Sequence, residues 1–177
     1  TEIYTLSLHD ALPILMVQLI GRSRNEETAG QIGRDKIATR FSVREDMKYS
    51  VRILLAEDNP ANQKLAKIML NKGGYHVDVA NNGREAVDIF TASPENYDMI
   101  LMDVQMPEMD GLTATRTIRE KGFSSVPIIA VTANALSGDK EKCLEAGMTD
   151  YMTKPIKREI VFQMLEKWVF DKGSQVS

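Results

Sequence analysis

From residue 51 onward the chain alternates short apolar runs with stretches of helical period. The runs are Val51–Ala56, the pair Val77 and Val79, Met99–Met102, Ile128–Val131 and the shorter Tyr151–Thr153. A continuous apolar run closed by polar residues is what a strand covered on both faces requires. After the first run, Asn59 suits an N-cap and Pro60 the first helical position; Leu65, Ile68 and Met69 share a face, and Gly73-Gly74 predicts the stop. Helical spacing returns at Ala86, Val87 and Phe90, at Leu112, Thr115 and Ile118, and at Leu136, Lys140, Cys143 and Leu144. The last helix is the clearest, with Ile160, Val161, Met164, Leu165, Trp168 and Val169 on one stripe. Strands alternating with helices predict an α/β fold, a doubly wound five-stranded parallel sheet with five helices, because parallel strands need right-handed crossovers. The usual strand order at this size is 2-1-3-4-5.

Parallel strands place their carboxyl ends on one side, and open α/β sheets bind ligands there. Four of the runs end on polar groups at that edge: Glu57-Asp58, Asp103, Thr132 and Lys154. In the expected order strands one and three are neighbours, which crowds Glu57, Asp58 and Asp103. Two unit charges 4 Å apart repel by about 4 kcal/mol at an effective dielectric near 20, so a counterion is required. Mg²⁺ accepts one or two carboxylates and keeps several waters, which fits an open site shared with phosphate. Asp58 and Asp103 are then direct ligands and Glu57 acts through water. Lys154 and Thr132 add a fixed cation and a hydroxyl donor beside Asp103, the equipment for passing a phosphoryl group to a carboxylate nucleophile. Acids are common at strand ends, but all of these positions falling at strand ends with matching chemistry favours a site. His76 begins a strand and His9 lies in the suspect segment at residues 1–14, so neither is a strong candidate phosphodonor, while Trp168 and the methionines read as core.

Composition narrows the class further. The formal net charge of −3 gives no electrostatic case for nucleic acid or an anionic membrane. The single cysteine, Cys143, excludes an internal disulfide or zinc cluster and reads as packing in a reducing, cytoplasmic setting. The apolar stretch Ala11–Ile20 is too short to cross a bilayer, contains Pro13, and lacks the basic lead of a signal peptide. Residues 1–14 resemble a translated sequencing adapter and are read as a non-native artefact. Because the chain starts at Thr1, a fragment is expected. Residues 15–50 have linker composition over Gly21–Ser50 and are read as a linker or the remnant of an upstream domain. Residues 51–170 form the domain and 171–177 a tail.

Four segments, ILLAEDN, DMILMDVQMPEMDGL, IIAVTANAL and GMTDYMTKPI, resemble the response-regulator receiver domains of two-component signalling over about Val51–Val169. The resemblance implies a flavodoxin-like fold in which Asp103 is the phosphorylation site, charged from a histidine on a partner kinase. It also implies Mg²⁺ held by Glu57, Asp58, Asp103 and the backbone carbonyl of Gln105. Thr132 and Tyr151 are implied as the switch that alters the surface of the fourth helix, fifth strand and fifth helix, and Lys154-Pro155 as a cis peptide. Glu57 in place of the commoner Asp, within EDNPANQK, resembles receivers fused to hybrid sensor histidine kinases, as does TRFSVRED at Thr39–Asp46. The implied partners are a histidine kinase phosphodonor domain and a histidine-phosphotransfer domain. The parent kinase is expected to be anchored in the inner membrane, with this fragment making no membrane contact. The receiver itself is a self-catalysing phosphoacceptor rather than a conventional enzyme. Gln105 and Asn134, two residues beyond Asp103 and Thr132, are placed to tune attack by water.

Three alternatives compete. A haloacid-dehalogenase-type phosphohydrolase uses similar groups, but its nucleophile precedes its acid pair in a D-x-D motif, the reverse of the order here. A flavin or nucleotide module would want a glycine-rich phosphate cradle where this first strand opens onto acids. A scaffold receiver that never turns over phosphate keeps the fold and fails only in chemistry.

Overall fold

The computed structural model describes residues 50–133 and 137–171, the side chains of 137–139 excepted. The readings of residues 1–49 and 172–177, of His9, and of Asn134 and Leu136 fall outside the described residues. Five strands, β1 (Arg52–Ala56), β2 (His76–Ala80), β3 (Met99–Asp103), β4 (Ile128–Thr132) and β5 (Asp150–Thr153), form one all-parallel sheet in the order β2-β1-β3-β4-β5. The helices are α1 (Pro60–Lys72), α2 (Gly83–Ala92), α3 (Gly111–Glu120), α4 (Ser137–Glu145) and α5 (Arg158–Leu165). The chain continues from α5 as a π-helical turn, Glu166–Phe170.

Successive strand residues face opposite sides of a sheet, and that parity divides the core. Leu54, Ala56, Ile100, Met102, Ile128 and Ala130 pack with Ala86, Phe90, Ala114, Ile118 and Cys143 of α2, α3 and α4. Ile53, Leu55, Met99, Leu101, Ile129 and Val131 pack with Ala66 and Leu70 of α1 and Val161 and Leu165 of α5. Cys143 is buried and unbridged, which makes it a packing residue.

The helix caps follow the sequence closely. Asn59 accepts the main-chain N–H groups of Ala61 and Asn62, and Asp110 accepts that of Thr113. At the end of α1 the left-handed residue is Gly74, at φ 90°, whereas Gly73 stays right-handed. Three expectations need correction. On α1 the inward stripe is Ala66, Met69 and Leu70, so Leu65 is 59% and Ile68 45% exposed. The small Ala66 side chain lets the helix lie close to the sheet, and the larger apolar groups are left on the outer face. On α4, Leu144 is likewise exposed while Cys143 turns inward. Trp168 is only half-buried, and its indole N–H donates to Asp150 across 3.0 Å.

Candidate functional site

Strand register builds the site. Ala56 pairs with Met102, so the next residue, Glu57, comes level with Asp103; Asp103 pairs with Val131, one residue before Thr132. Thr132 in turn pairs with Thr153, one residue before Lys154, whose main-chain N–H donates to the Thr132 carbonyl at 2.7 Å. Groups far apart in sequence thus lie side by side at one sheet edge.

Asp103 is 2% exposed and Glu57 1% exposed, an unusual depth for two carboxylates. Lys154 lies between them: its ammonium donates to Asp103 Oδ2 at 2.5 Å and sits 3.0 Å from Glu57 Oε2. Asp103 Oδ1 accepts the main-chain N–H of Gln105 at 3.1 Å, so the chain doubles back over the carboxylate immediately after β3. Glu57 Oε1 accepts the Asn59 N–H at 3.2 Å and the Asn62 side-chain amide at 2.9 Å. Burial raises the Asp103 carboxyl above its ordinary value, and the hydrogen bonds from Lys154 and Gln105 only partly oppose it. Burial works to lower the Lys154 ammonium, yet its bonds to Asp103 and Glu57 carry it above its ordinary value.

Oxygens of Glu57, Asp58 and Asp103 all lie within 4.8 Å of one another, and Asp58 is exposed. Three carboxylates against one ammonium leave net negative charge at an open mouth, a donor set that suits a hard divalent cation. A cleft of about 330 Å³ opens beside Glu57 and Lys154, with Leu65, Pro155 and Ile156 on its walls. The Lys154-Pro155 peptide is cis. Gly111 keeps the loop tight above the acceptor, because a Cβ at that position would lie 2.1 Å from the Asp103 carbonyl oxygen.

Parity assigns the remaining groups. Glu57, Asp103 and Lys154 share the strand face of α1 and α5, whereas Thr132 and Tyr151 fall on the opposite face, where Tyr151 packs against the core beneath α4. Thr132 is buried, Tyr151 is half-buried, and the Lys140 ammonium of α4 stands 5.3 Å from the Tyr151 ring centre. Gln105 is exposed at the mouth, beside Asp58 and Met106. The structure therefore brings together Glu57, Asp58, Asp103, Gln105, Thr132, Lys154 and Pro155, with Tyr151 one layer behind.

Sequence reasoning missed two contributors to the site and one main-chain clamp away from it. Asn62 and Gln63 hold Glu57 by side chain and main chain, Gln63 Nε2 donating to the Glu57 carbonyl at 2.6 Å and to Asn81 Oδ1 at 3.0 Å. Their signal was present, since two carboxamides in the first turn of a helix that follows an acid pair can fold back onto it. Arg119 was not legible: it donates to the carbonyls of Gly147, Phe123 and Val126 at 2.9, 2.6 and 2.9 Å, and burial lowers its guanidinium below its ordinary value.

Comparison with known proteins agrees with this geometry. Residues 53–166 match the response regulator receiver domain. The chain is 47% identical over 120 residues to hybrid signal transduction histidine kinase I of Dictyostelium discoideum, a match covering 64% of this chain and 7% of that protein's length. The crystal structure of the receiver domain of sensor histidine kinase PA1611 from Pseudomonas aeruginosa, with magnesium coordinated in its active site cleft, is 48% identical. It superposes with a TM-score of 0.62, covering 68% of this chain and 98% of that one. The receiver domain of the Saccharomyces cerevisiae response regulator Ssk1, crystallised with the histidine phosphotransfer protein Ypd1, is 30% identical with a TM-score of 0.65, covering 70% of this chain and 91% of the matched one.

Proposed function

The chain belongs to the response regulator receiver domain family of two-component signalling, and on that premise we propose that Asp103 accepts a phosphoryl group from a phosphohistidine of a partner histidine kinase. The observation that carries this reading is the buried Asp103 carboxylate, held between the Lys154 ammonium and the Gln105 N–H at the carboxyl end of the central strand. An Asp103 carboxylate oxygen attacks phosphorus, forming an acyl phosphate. The phosphorus–nitrogen bond breaks, and its electron pair returns to the histidine nitrogen. Transfer onward to a histidine-phosphotransfer domain is the same exchange run toward another imidazole, and hydrolysis replaces that imidazole with water.

Glu57, Asp58 and Asp103, with the Gln105 carbonyl, would hold Mg²⁺, which supplies positive charge against the phosphoryl oxygens. The convergence of the three carboxylates and the magnesium in the PA1611 receiver support that assignment. Lys154 is placed to turn from Asp103 toward the new phosphoryl group, a fixed cation where negative charge develops. The Thr132 hydroxyl bonds that group from the opposite strand face, and the space it vacates is open to Tyr151, altering the surface of α4, β5 and α5. Gln105 and Asn134 tune the access of water.

Leu65 and Ile68, large apolar groups exposed on α1, offer a docking surface for the partner, and Leu65 also lines the cleft of Glu57 and Lys154. The Ssk1–Ypd1 complex supports a histidine-phosphotransfer protein as one such partner. The likeness to a hybrid histidine kinase supports a parent of that kind, and we propose that such a parent is anchored in the inner membrane with this domain in the cytoplasm. Among the described residues no helix is long and apolar enough to cross a membrane.

Incubation with Mg²⁺ and acetyl phosphate tests the chemistry. Intact mass is expected to rise by one phosphoryl group, in an acid-labile linkage absent from Asp103→Asn and from protein kept in chelator. An unchanged mass under saturating donor would instead identify a scaffold that keeps the fold without the reaction.

A further inference from the structure

Glu57 is a buried acid whose side chain must be fixed through three torsions, and that ordering carries an entropic cost. The two carboxylate oxygens are held by different parts of the fold. Oε2 faces Lys154 at 3.0 Å; Oε1 faces the first turn of α1, accepting the Asn59 N–H at 3.2 Å and the Asn62 amide at 2.9 Å. The next residue, Gln63, clamps the Glu57 main chain at 2.6 Å and is itself braced by Asn81, whose amide donates to Glu85 at 2.7 Å. Of the Glu57 side-chain contacts, the Lys154 one is shared, since the same ammonium also donates to Asp103. Any turn of Lys154 toward a phosphoryl group on Asp103 leaves Oε2 without its cation at the moment when the acid geometry matters most.

We propose that Asn62 is a positioning residue for phosphoryl transfer: its side-chain amide holds the Glu57 carboxylate in place independently of Lys154, and thereby sets the affinity of the acid cluster for Mg²⁺. Asn62 acts through Glu57 and touches neither Asp103 nor the incoming phosphoryl group. The inference rests on the metal-dependent reading given above and adds a residue to it. Partners that orient metal-binding carboxylates typically contribute about 10–100-fold to metal affinity, so the effect is large enough to read directly.

The full chain is titrated with Mg²⁺ in a calorimeter, and its phosphorylation by acetyl phosphate is followed as a function of Mg²⁺ concentration. Acetyl phosphate brings no protein surface, so a docking role for α1 does not enter. Asn62→Leu removes the amide donors at similar size. It is expected to weaken Mg²⁺ binding about tenfold and to raise the half-saturating Mg²⁺ concentration in parallel, while the rate at saturating Mg²⁺ stays within about twofold. In a Glu57→Gln background the same substitution is expected to change affinity by less than about twofold, as a path running only through Glu57 requires. Wild-type affinity in Asn62→Leu, or an equal loss in both backgrounds, overturns the proposal and leaves the receiver reading standing. Absence of Mg²⁺ binding in the wild-type chain overturns the proposal together with the metal-dependent reading it rests on, and leaves the family membership standing.

Discussion

Replacing Lys154 with Met keeps the length of the side chain and removes the only cation that touches both Glu57 and Asp103 among the described residues. Those carboxylates are 1% and 2% exposed, and their oxygens lie no more than 4.8 Å apart, so their repulsion at an effective dielectric near 20 is about 3–4 kcal/mol. Breaking a buried ion pair by removing one partner costs about 3–5 kcal/mol, which agrees with the Coulomb figure. In metal-free buffer the variant is therefore expected to lose about 3–4 kcal/mol of stability above neutral pH. The sign with pH follows from Asp103, whose folded-state carboxyl already stands above its ordinary value because of burial. Without Lys154 it rises further. A group raised on folding stabilises the protein below its unfolded value and loses that contribution as pH rises through its folded value. The penalty should thus be smaller in acid, where Asp103 takes up a proton more readily, than above neutral pH. Urea unfolding in chelator, followed by the fluorescence of Trp168, the only tryptophan, measures it at pH 5 and pH 8. Mg²⁺ should recover more stability in the variant than in the wild type, because it replaces the missing charge. A penalty equal at both pH values would refute the assignment of Lys154 as the counter-charge.

Arg119→Ala orphans three main-chain carbonyls at once and is expected to cost about 2–3 kcal/mol in urea unfolding. Its Mg²⁺ affinity should be unchanged, since the clamp lies away from the acids. At Asp150, burial works upward but is outweighed by bonds from Lys167, the Tyr151 N–H and the Trp168 indole, leaving the carboxyl below its ordinary 3.8. A carboxyl depressed on folding stabilises the protein above its unfolded value and loses that contribution as pH falls through its folded value. Urea midpoints taken from pH 7 down to pH 3 should therefore fall less steeply in Asp150→Asn than in the wild type.

The strands were readable because a parallel sheet covered on both faces demands unbroken apolar runs, and few other structures do. Ile53–Ala56, Met99–Met102 and Ile128–Val131 are buried along their whole length, so the runs carry no ambiguity of face. The clustering of Glu57, Asp103, Thr132 and Lys154 followed from the strand order, since register brings the strand ends level. The α1 helix was harder. Period 3.6 defines a stripe but not which of two neighbouring stripes meets the sheet, and Ala66 wins that contact over Leu65 and Ile68 because it is small. Arg119 was illegible for a different reason: its partners are main-chain carbonyls, which every residue supplies, so no spacing of side chains announces it.

Strand parity also decides how charge on Asp103 can be felt elsewhere. Asp103, Glu57 and Lys154 share the α1/α5 side, so rearrangement among them alone leaves the α4 side untouched. Thr132 is the group at this edge that belongs to the other side and still stands one residue beyond the partner of Asp103. Tyr151, paired with Ala130 on that same side, lies two positions back along the sheet from the Thr132–Thr153 pair. On the proposed function, the Thr132 hydroxyl is the group that carries a change at the acceptor across the sheet to the tyrosine. The Lys140 ammonium over the Tyr151 ring places a charge of α4 at the end of that path. On that proposal, accepting at Asp103 and sensing at Thr132 are separated by one residue of register and fall on opposite faces of the sheet.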